Sequence, residues 1–138
     1  MKVLNKLAIV IMIVTGLSFV NKTMAQESEL KPMAEFDKTT HDFGQVPQGI
    51  PVKAIFKVKN TSMVPLVITN VKPTCGCTVA DYPREPIKPG ETGEIAATYN
   101  ARSVGPFTKT VHVYTNTNEG LVDIYMKGEV VASQPAYN

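Results

Sequence analysis

The sequence contains no tryptophan, only two cysteines and few aromatic residues, which make up 7% of its 138 residues. Antibody-type domains pin their sheets with two distant cysteines beside a buried tryptophan, so that arrangement is excluded. After residue 25, no stretch carries apolar residues at a helical period over three turns. The motifs of common hydrolases, zinc proteases and phosphate-binding loops are also missing. The sequence therefore predicts a non-helical, non-enzymatic protein, with no catalytic residue and no cofactor assigned.

Charge of one sign is not in excess, since 14 lysines and arginines stand against 12 aspartates and glutamates. Three of the basic residues and none of the acidic ones lie in the first 25 positions, so the remaining chain is nearly neutral. Binding to nucleic acid or to a membrane surface requires a concentration of positive charge. We therefore expect no nucleic-acid partner.

The first 25 residues have the pattern of a signal peptide. Lys2 and Lys6 precede an uninterrupted apolar run over residues 7–20, and residues 23–25 (TMA) are typical of a cleavage site. The apolar run is shorter than the roughly 20 residues that a membrane-spanning helix needs. We expect cleavage after Ala25, export to the periplasm or out of the cell, and no membrane span in the mature chain. An uncleaved N-terminal anchor is the alternative.

Alternating apolar and polar residues indicate strands in the rest of the chain. The clearest alternation is that of Val52, Ala54, Phe56 and Val58, which predicts one apolar face against a core. Further alternation is found in residues 92–100, 107–114 and 121–131. A second long strand is predicted at 65–71, and other strands at 34–37, 39–46 and 79–82.

Proline- and glycine-rich turns separate these strands, the strongest of them over residues 86–91. About seven short strands in about 100 residues predict an all-β fold, an immunoglobulin-like two-sheet antiparallel β-sandwich over residues 34–131. Residues 26–33 are predicted to form a flexible lead-in and residues 132–138 a flexible tail.

Both cysteines lie in one short segment, in which Gly76 separates Cys75 from Cys77 and Thr74 and Thr78 flank the pair. On an extended backbone, residues two apart point to the same side, so the two sulfurs would be presented together and Gly76 would let the chain bend. Several interpretations stay open. The pair forms a structural corner, as free thiols or as one disulfide, or it binds a soft metal ion. A third interpretation is that the pair takes part in thiol–disulfide exchange, and a fourth is that it forms an intermolecular disulfide with a partner protein.

The metal interpretation favours Cu(I), because paired thiolates suit this ion better than they suit structural zinc, which takes four ligands. The other soft or imidazole side chains show no ligand-like spacing to the pair. They are His41, His112, Met33 and Met63. Cys75 and Cys77 are therefore the only candidate metal ligands.

A series of short motifs follows in order between about Phe36 and Val131. They are His41-Asp42-Phe43-Gly44, Asn60-Thr61-Ser62 with Pro65-Leu66, Cys75-Gly76-Cys77-Thr78, Pro86-Ile87-Lys88-Pro89-Gly90, Gly105-Pro106-Phe107 and Gly128. Together they resemble a bacterial family known as domain of unknown function fifteen-seventy-three. Asn60-Thr61-Ser62 is also a glycosylation sequon, which we do not expect to be used in an exported protein of bacterial type.

The resemblance implies an exported domain related to the immunoglobulin-like domains of the major-sperm-protein and ASPM/SPD-2/hydin group. That group is known for scaffolding and binding, and the resemblance implies no established activity. We therefore predict a binding or scaffolding module of the cell envelope with a protein partner. The alternative is a periplasmic copper-handling or thiol redox protein that uses Cys75 and Cys77.

Overall fold

The computed structural model describes residues 30–132. The predicted leader over residues 1–25 lies outside this range, as do residues 26–29 of the predicted lead-in and residues 133–138 of the predicted tail. The described chain contains no helix and eight β-strands. They are β1 (Ala34–Phe36), β2 (Thr40–Pro47), β3 (Val52–Asn60), β4 (Ile68–Pro73), β5 (Thr78–Asp81), β6 (Thr92–Tyr99), β7 (Gly105–Thr115) and β8 (Leu121–Val131). Within the described residues, no helix could therefore cross a membrane.

The strands form two four-stranded sheets, with the orders β1-β3-β6-β5 and β2-β8-β7-β4. Every pairing is antiparallel except that of β2 with β8, which is parallel. The prediction of an all-β two-sheet sandwich is confirmed, with eight strands where about seven were expected. Each sheet has two edge strands, so β1, β5, β2 and β4 have a neighbour on one side only.

The core lies between the two inner faces and follows from the alternation in the sequence. Phe56 on β3 and Ile95 on β6 are fully buried, and they belong to one cluster with Val111 on β7 and Ile124 on β8. The predicted apolar face of β3 is therefore the core face. Burial of such side chains stabilises a fold by about 1.5–3 kcal/mol each relative to leaving them in water.

The strand predicted over residues 65–71 begins later, at Ile68, and extends to Pro73. Leu66 forms a separate bridge to Ile87, in which each backbone N–H donates to the other residue's carbonyl at 3.0 and 2.8 Å. Ile87 is buried within the segment that the sequence presents as a turn. Both apolar side chains belong to the core. The turn predicted over residues 86–91 therefore also contributes a buried residue, which the local proline and glycine pattern does not reveal.

Candidate functional site

Three loops meet at one end of the sandwich. Tyr99 at the end of β6 pairs with both Val52 at the start of β3 and Thr78 at the start of β5. Hydrogen bonds between backbones tie the loops together there: Asn100 N–H donates to the Cys77 carbonyl at 3.0 Å, and Gly49 N–H donates to the Ala101 carbonyl at 2.9 Å. We call this end the cysteine end, made of loops 48–51, 74–77 and 100–104.

Cys75 and Cys77 are joined by a disulfide in the loop between β4 and β5. Their Cα atoms lie 5.3 Å apart, less than the roughly 6.6–7.2 Å that two residues of extended chain span. A turn brings them together, in which Thr78 N–H donates to the Cys75 carbonyl at 3.3 Å. The two sulfurs lie together, as predicted, but a turn presents them and not an extended backbone, because the chain bends where it passes from one sheet to the other.

Gly76 occupies the outer tip of this turn. A Cβ atom built on Gly76 would meet nothing within 4 Å, and its backbone does not lie in the left-handed region. The chain bends at Gly76, as predicted, although the conformational freedom of glycine is not required there. Thr74 anchors the other side of the turn, since its N–H and its hydroxyl both donate to the Thr110 carbonyl at 3.1 Å.

The hydroxyl of Thr78 faces both sulfurs. Thr78 is only 4% exposed, and its Oγ1 lies 3.5 Å from Cys75 Sγ and 3.9 Å from Cys77 Sγ. A disulfide sulfur carries no hydrogen, so the threonine hydroxyl must be the donor in these contacts. The sequence analysis named Thr78 only as a flanking residue. Its direct contact with the sulfurs depends on the turn geometry, which spacing does not reveal.

The two sulfurs differ in their surroundings. Cys77 packs against the hydrophobic core, whereas Cys75 is half-buried outside that cluster. The disulfide closes a ring over three residues, for which the chain-entropy relation gives about 1.5 kcal/mol of stabilisation, roughly half the value for a 15-residue loop. A disulfide that closes so small a ring therefore contributes little to the stability of the fold.

The histidines have partners elsewhere in the sandwich. His41 Nδ1 on β2 lies 3.2 Å from Lys38 Nζ, and His112 Nδ1 on β7 lies 2.6 Å from Asp123 Oδ1 on β8. Within residues 30–132, no three His, Cys, Asp or Glu side chains are grouped as metal ligands. Sulfurs in a disulfide are not thiolate ligands, so Cu(I) binding would first require reduction of the pair, and it stays a prediction.

Strand β5 directly follows the disulfide and is an edge of its sheet. Its register with β6 is continuous from Thr78 to Asp81, and Val79 on its outer face is 67% exposed. By contrast, the register of the edge strands β2 and β4 is interrupted. The remaining edge, β1, has only three residues, with Glu35 facing solvent. The sequence analysis missed Val79, because alternation alone does not show which strand is an edge.

Solved structures similar to this chain share its fold. A protein of unknown function from Porphyromonas gingivalis W83 matches with a TM-score of 0.65 and 20% identity, over 79% of this chain and 51% of that one. The ASH/PapD-like domain 7 of human CEP192 matches with a TM-score of 0.59 and 9% identity, over 75% of this chain and 89% of that domain.

The VesB protease of Vibrio cholerae matches with a TM-score of 0.61 and 12% identity, over 70% of this chain and 32% of that protein. At such identities the likeness concerns the fold alone. The chain spans about half the length of the P. gingivalis protein.

No protein in the curated comparison matches the chain significantly. A family model matches residues 34–130, which covers all eight strands except the last residue of β8. The family named by the resemblance is therefore confirmed: the chain belongs to the family described as "Protein of unknown function (DUF1573)".

Proposed function

We propose that this protein is an exported, non-enzymatic binding module of the cell envelope, which pairs an extended segment of a partner protein with the edge of β5. The observation that carries the proposal is the continuous, exposed edge of β5 with Val79 on its outer face. Strand addition to a sheet edge is a recurrent mode of peptide recognition, in which backbone hydrogen bonds supply affinity and alternate side chains supply specificity.

Edge strands normally carry features that block pairing with another chain, such as bulges, lysine, proline or very short length. Strand β2 has a register break between Asp42 and Gln45, and β4 has one between Ile68 and Asn70 and ends at Pro73. Strand β5 is also short, with four residues, but it has neither a register break nor a lysine nor a proline. These differences favour β5 as the edge that accepts a partner.

The leader pattern supports an envelope location for this module. Cleavage after Ala25 would give a mature chain that begins at Gln26. Intact-mass measurement of the protein from periplasmic and secreted fractions checks the location and the cleavage site together. A full-length mass in the inner-membrane fraction would support the uncleaved anchor instead.

The test of the binding role compares two valines that are both exposed. We expect Val79→Lys to reduce partner capture from envelope extract at least about tenfold, because a lysine on an edge strand opposes strand addition. The matched control is Val104→Lys, which makes the same change at a valine 56% exposed in the loop before β7. Capture is quantified by mass spectrometry of proteins bound to the immobilised mature chain. Equal capture by the wild type and the Val79→Lys variant would rule out the β5 edge.

A further inference from the structure

We infer that the Cys75–Cys77 disulfide is a site of thiol–disulfide exchange that accepts two electrons from cysteine thiols. This activity goes beyond the binding role proposed above and does not depend on the β5 edge. Three features carry it: a half-buried disulfide on a turn, a buried hydroxyl that contacts both sulfurs, and open space at the tip of the turn. Because so small a ring contributes little to the free energy of unfolding, stabilisation of the fold does not account for the disulfide.

Exchange requires access to one sulfur of the disulfide. A thiolate attacks a disulfide sulfur directly, so one sulfur must be reachable from solvent. Gly76 at the tip of the turn is exposed, and no atom lies within 4 Å of the position of a Cβ. Because Cys77 packs against the core and Cys75 does not, Cys75 is the sulfur that an incoming thiolate reaches. Cys77 is then the leaving group.

Exchange also requires a stabilised leaving group. Thr78 Oγ1 lies 3.5 Å from Cys75 Sγ and 3.9 Å from Cys77 Sγ, so its hydrogen can turn from the attacked sulfur to the departing one. A hydrogen bond to an anion is stronger than one to a neutral acceptor, so this contact strengthens as negative charge develops on the departing sulfur. An interaction that strengthens in the transition state accelerates the reaction. Thr78 thus acts as a positioned donor for the Cys77 thiolate.

The charges around the disulfide also favour exchange. The three loops of the cysteine end contain no carboxylate, and their single charged residue is Arg102. An approaching thiolate is therefore not repelled by acidic side chains of these loops, and the guanidinium adds a favourable field. The resulting surroundings suit an anionic nucleophile.

The exchange balances without any further reactant. A substrate thiolate attacks Cys75 Sγ, a new S–S bond forms to the substrate, and the Cys75–Cys77 bond breaks with its electron pair on Cys77 Sγ, which takes a proton from water. A second substrate thiolate then attacks the substrate sulfur of this mixed disulfide and releases the Cys75 thiolate, which takes a proton from water. The substrate thiols end as one disulfide, and the cysteine pair ends as two thiols.

The test measures the rate at which reduced glutathione reduces the mature, oxidised protein at neutral pH, by acid quenching and intact mass. We expect Thr78→Val to lower the second-order rate constant about tenfold, since it removes the donor to the leaving thiolate. Thr78→Ser keeps the hydroxyl and should stay within about twofold of the wild type. Thr69→Val makes the same change at an exposed threonine outside the cysteine end; it is the matched control and should behave as the wild type. Equal rates for the Thr78→Val and Thr78→Ser variants would overturn the role of Thr78.

A second measurement separates exchange in the folded protein from reduction after unfolding. The same rate is measured in low urea concentrations, below the unfolding transition. If the folded protein reacts, the rate should be nearly independent of urea, whereas reduction through global unfolding rises with the full urea dependence of unfolding. A rate that follows global unfolding would overturn the inference as a whole.

The thiol belongs either to a small molecule or to a polypeptide, and two arms of the experiment distinguish these sources. Glutathione is compared with an unstructured ten-residue peptide that contains one cysteine. A peptide rate at least about tenfold higher, abolished by Val79→Lys, assigns a polypeptide thiol that also uses the β5 edge. A higher glutathione rate assigns a small thiol. Either result supports exchange, and neither depends on capture of an envelope partner, so failure of the binding role is seen separately.

Discussion

Asn60 shows how much one buried polar side chain contributes at the far end of the sandwich. It is fully buried, and its Nδ2 donates to the carbonyls of Val64 and Ile87 at 2.8 and 2.9 Å. Its Oδ1 accepts hydrogen bonds from the N–H and the hydroxyl of Ser62 at 3.0 and 2.7 Å. Every hydrogen-bonding group of the amide is therefore used within the fold. A glycan on this nitrogen is incompatible with the folded domain, although the local sequence is a sequon.

The Asn60 contacts give a direct prediction. Asn60→Asp would place carboxylate oxygen against the Val64 and Ile87 carbonyls, and we expect it to lower the free energy of unfolding by about 3 kcal/mol. Asn70→Asp makes the same change at an exposed position on β4 and should change it by less than about 0.5 kcal/mol. Urea unfolding at neutral pH measures both. A loss below 1 kcal/mol for Asn60→Asp would contradict the hydrogen-bond network.

Asp42 carries a second prediction, which concerns pH. The Gly44 N–H donates to Asp42 Oδ1 at 2.8 Å, and with Lys127 Nζ at 3.5 Å from Oδ2 it holds the pKa of Asp42 below its ordinary 3.8. Because the folded-state pKa is lowered, the stabilisation is present above about pH 3.8 and is lost as the pH falls through the lower folded-state value. Carboxyl NMR titration should place the Asp42 pKa below 3.8. Lys127→Ala should raise it, and an unchanged value would contradict the ion pair.

At the scale of elements, the parallel pairing of β2 with β8 depends on a glycine. A Cβ on Gly128 of β8 would lie 2.7 Å from the Gly44 carbonyl oxygen on β2 and 3.0 Å from the Phe107 ring. A side chain at position 128 would therefore push β2 away from β8. Gly44 itself adopts a φ of 64° at the register break in β2, which turns its carbonyl toward β8.

We expect Gly128→Ala to destabilise the domain by about 1–3 kcal/mol, because the opposing atom is backbone and moves only with its strand. Gly76→Ala adds the same methyl group where nothing lies within 4 Å, and it should change the free energy of unfolding by less than about 0.5 kcal/mol. Hydrogen exchange should show loss of protection confined to β2 in the first variant. Equal stability of the two variants would contradict the packing of β2 on β8.

For the molecule as a whole, stability comes from the core between the sheets far more than from the disulfide. Closing a three-residue ring contributes about 1.5 kcal/mol. Truncating a fully buried phenylalanine typically costs 3–5 kcal/mol. The reduced protein should therefore keep its fold, which exchange at this site requires.

We expect full reduction of the disulfide to lower the free energy of unfolding by less than about 2 kcal/mol. Phe56→Ala, at a residue that is fully buried in the core, should lower it by about 3–5 kcal/mol in the same urea assay. Near-ultraviolet circular dichroism should be retained after reduction. Unfolding of the wild type on reduction would show that the disulfide holds the fold together.

Most of the fold was predictable because apolar and polar residues alternate along its strands. Val52 to Val58 on β3 and Ile95 to Tyr99 on β6 place an apolar residue at every second position, and each such position faces the core or its margin. Side chains alternate across a strand whatever its neighbours are, so the sequence reveals the faces. It does not reveal the neighbours, and the parallel partner of β2 was therefore not predicted.

The sequence by itself determined the all-β class, the strand faces, the family and the position of both cysteines in one short segment. Tertiary structure alone decided that Leu66 bridges Ile87, that β5 is an open edge, and that the Thr78 hydroxyl faces both sulfurs. The bridge between Leu66 and Ile87 and the edge position of β5 both depend on contacts between residues that are distant along the chain. The direction of the Thr78 hydroxyl depends on a turn that local alternation does not encode.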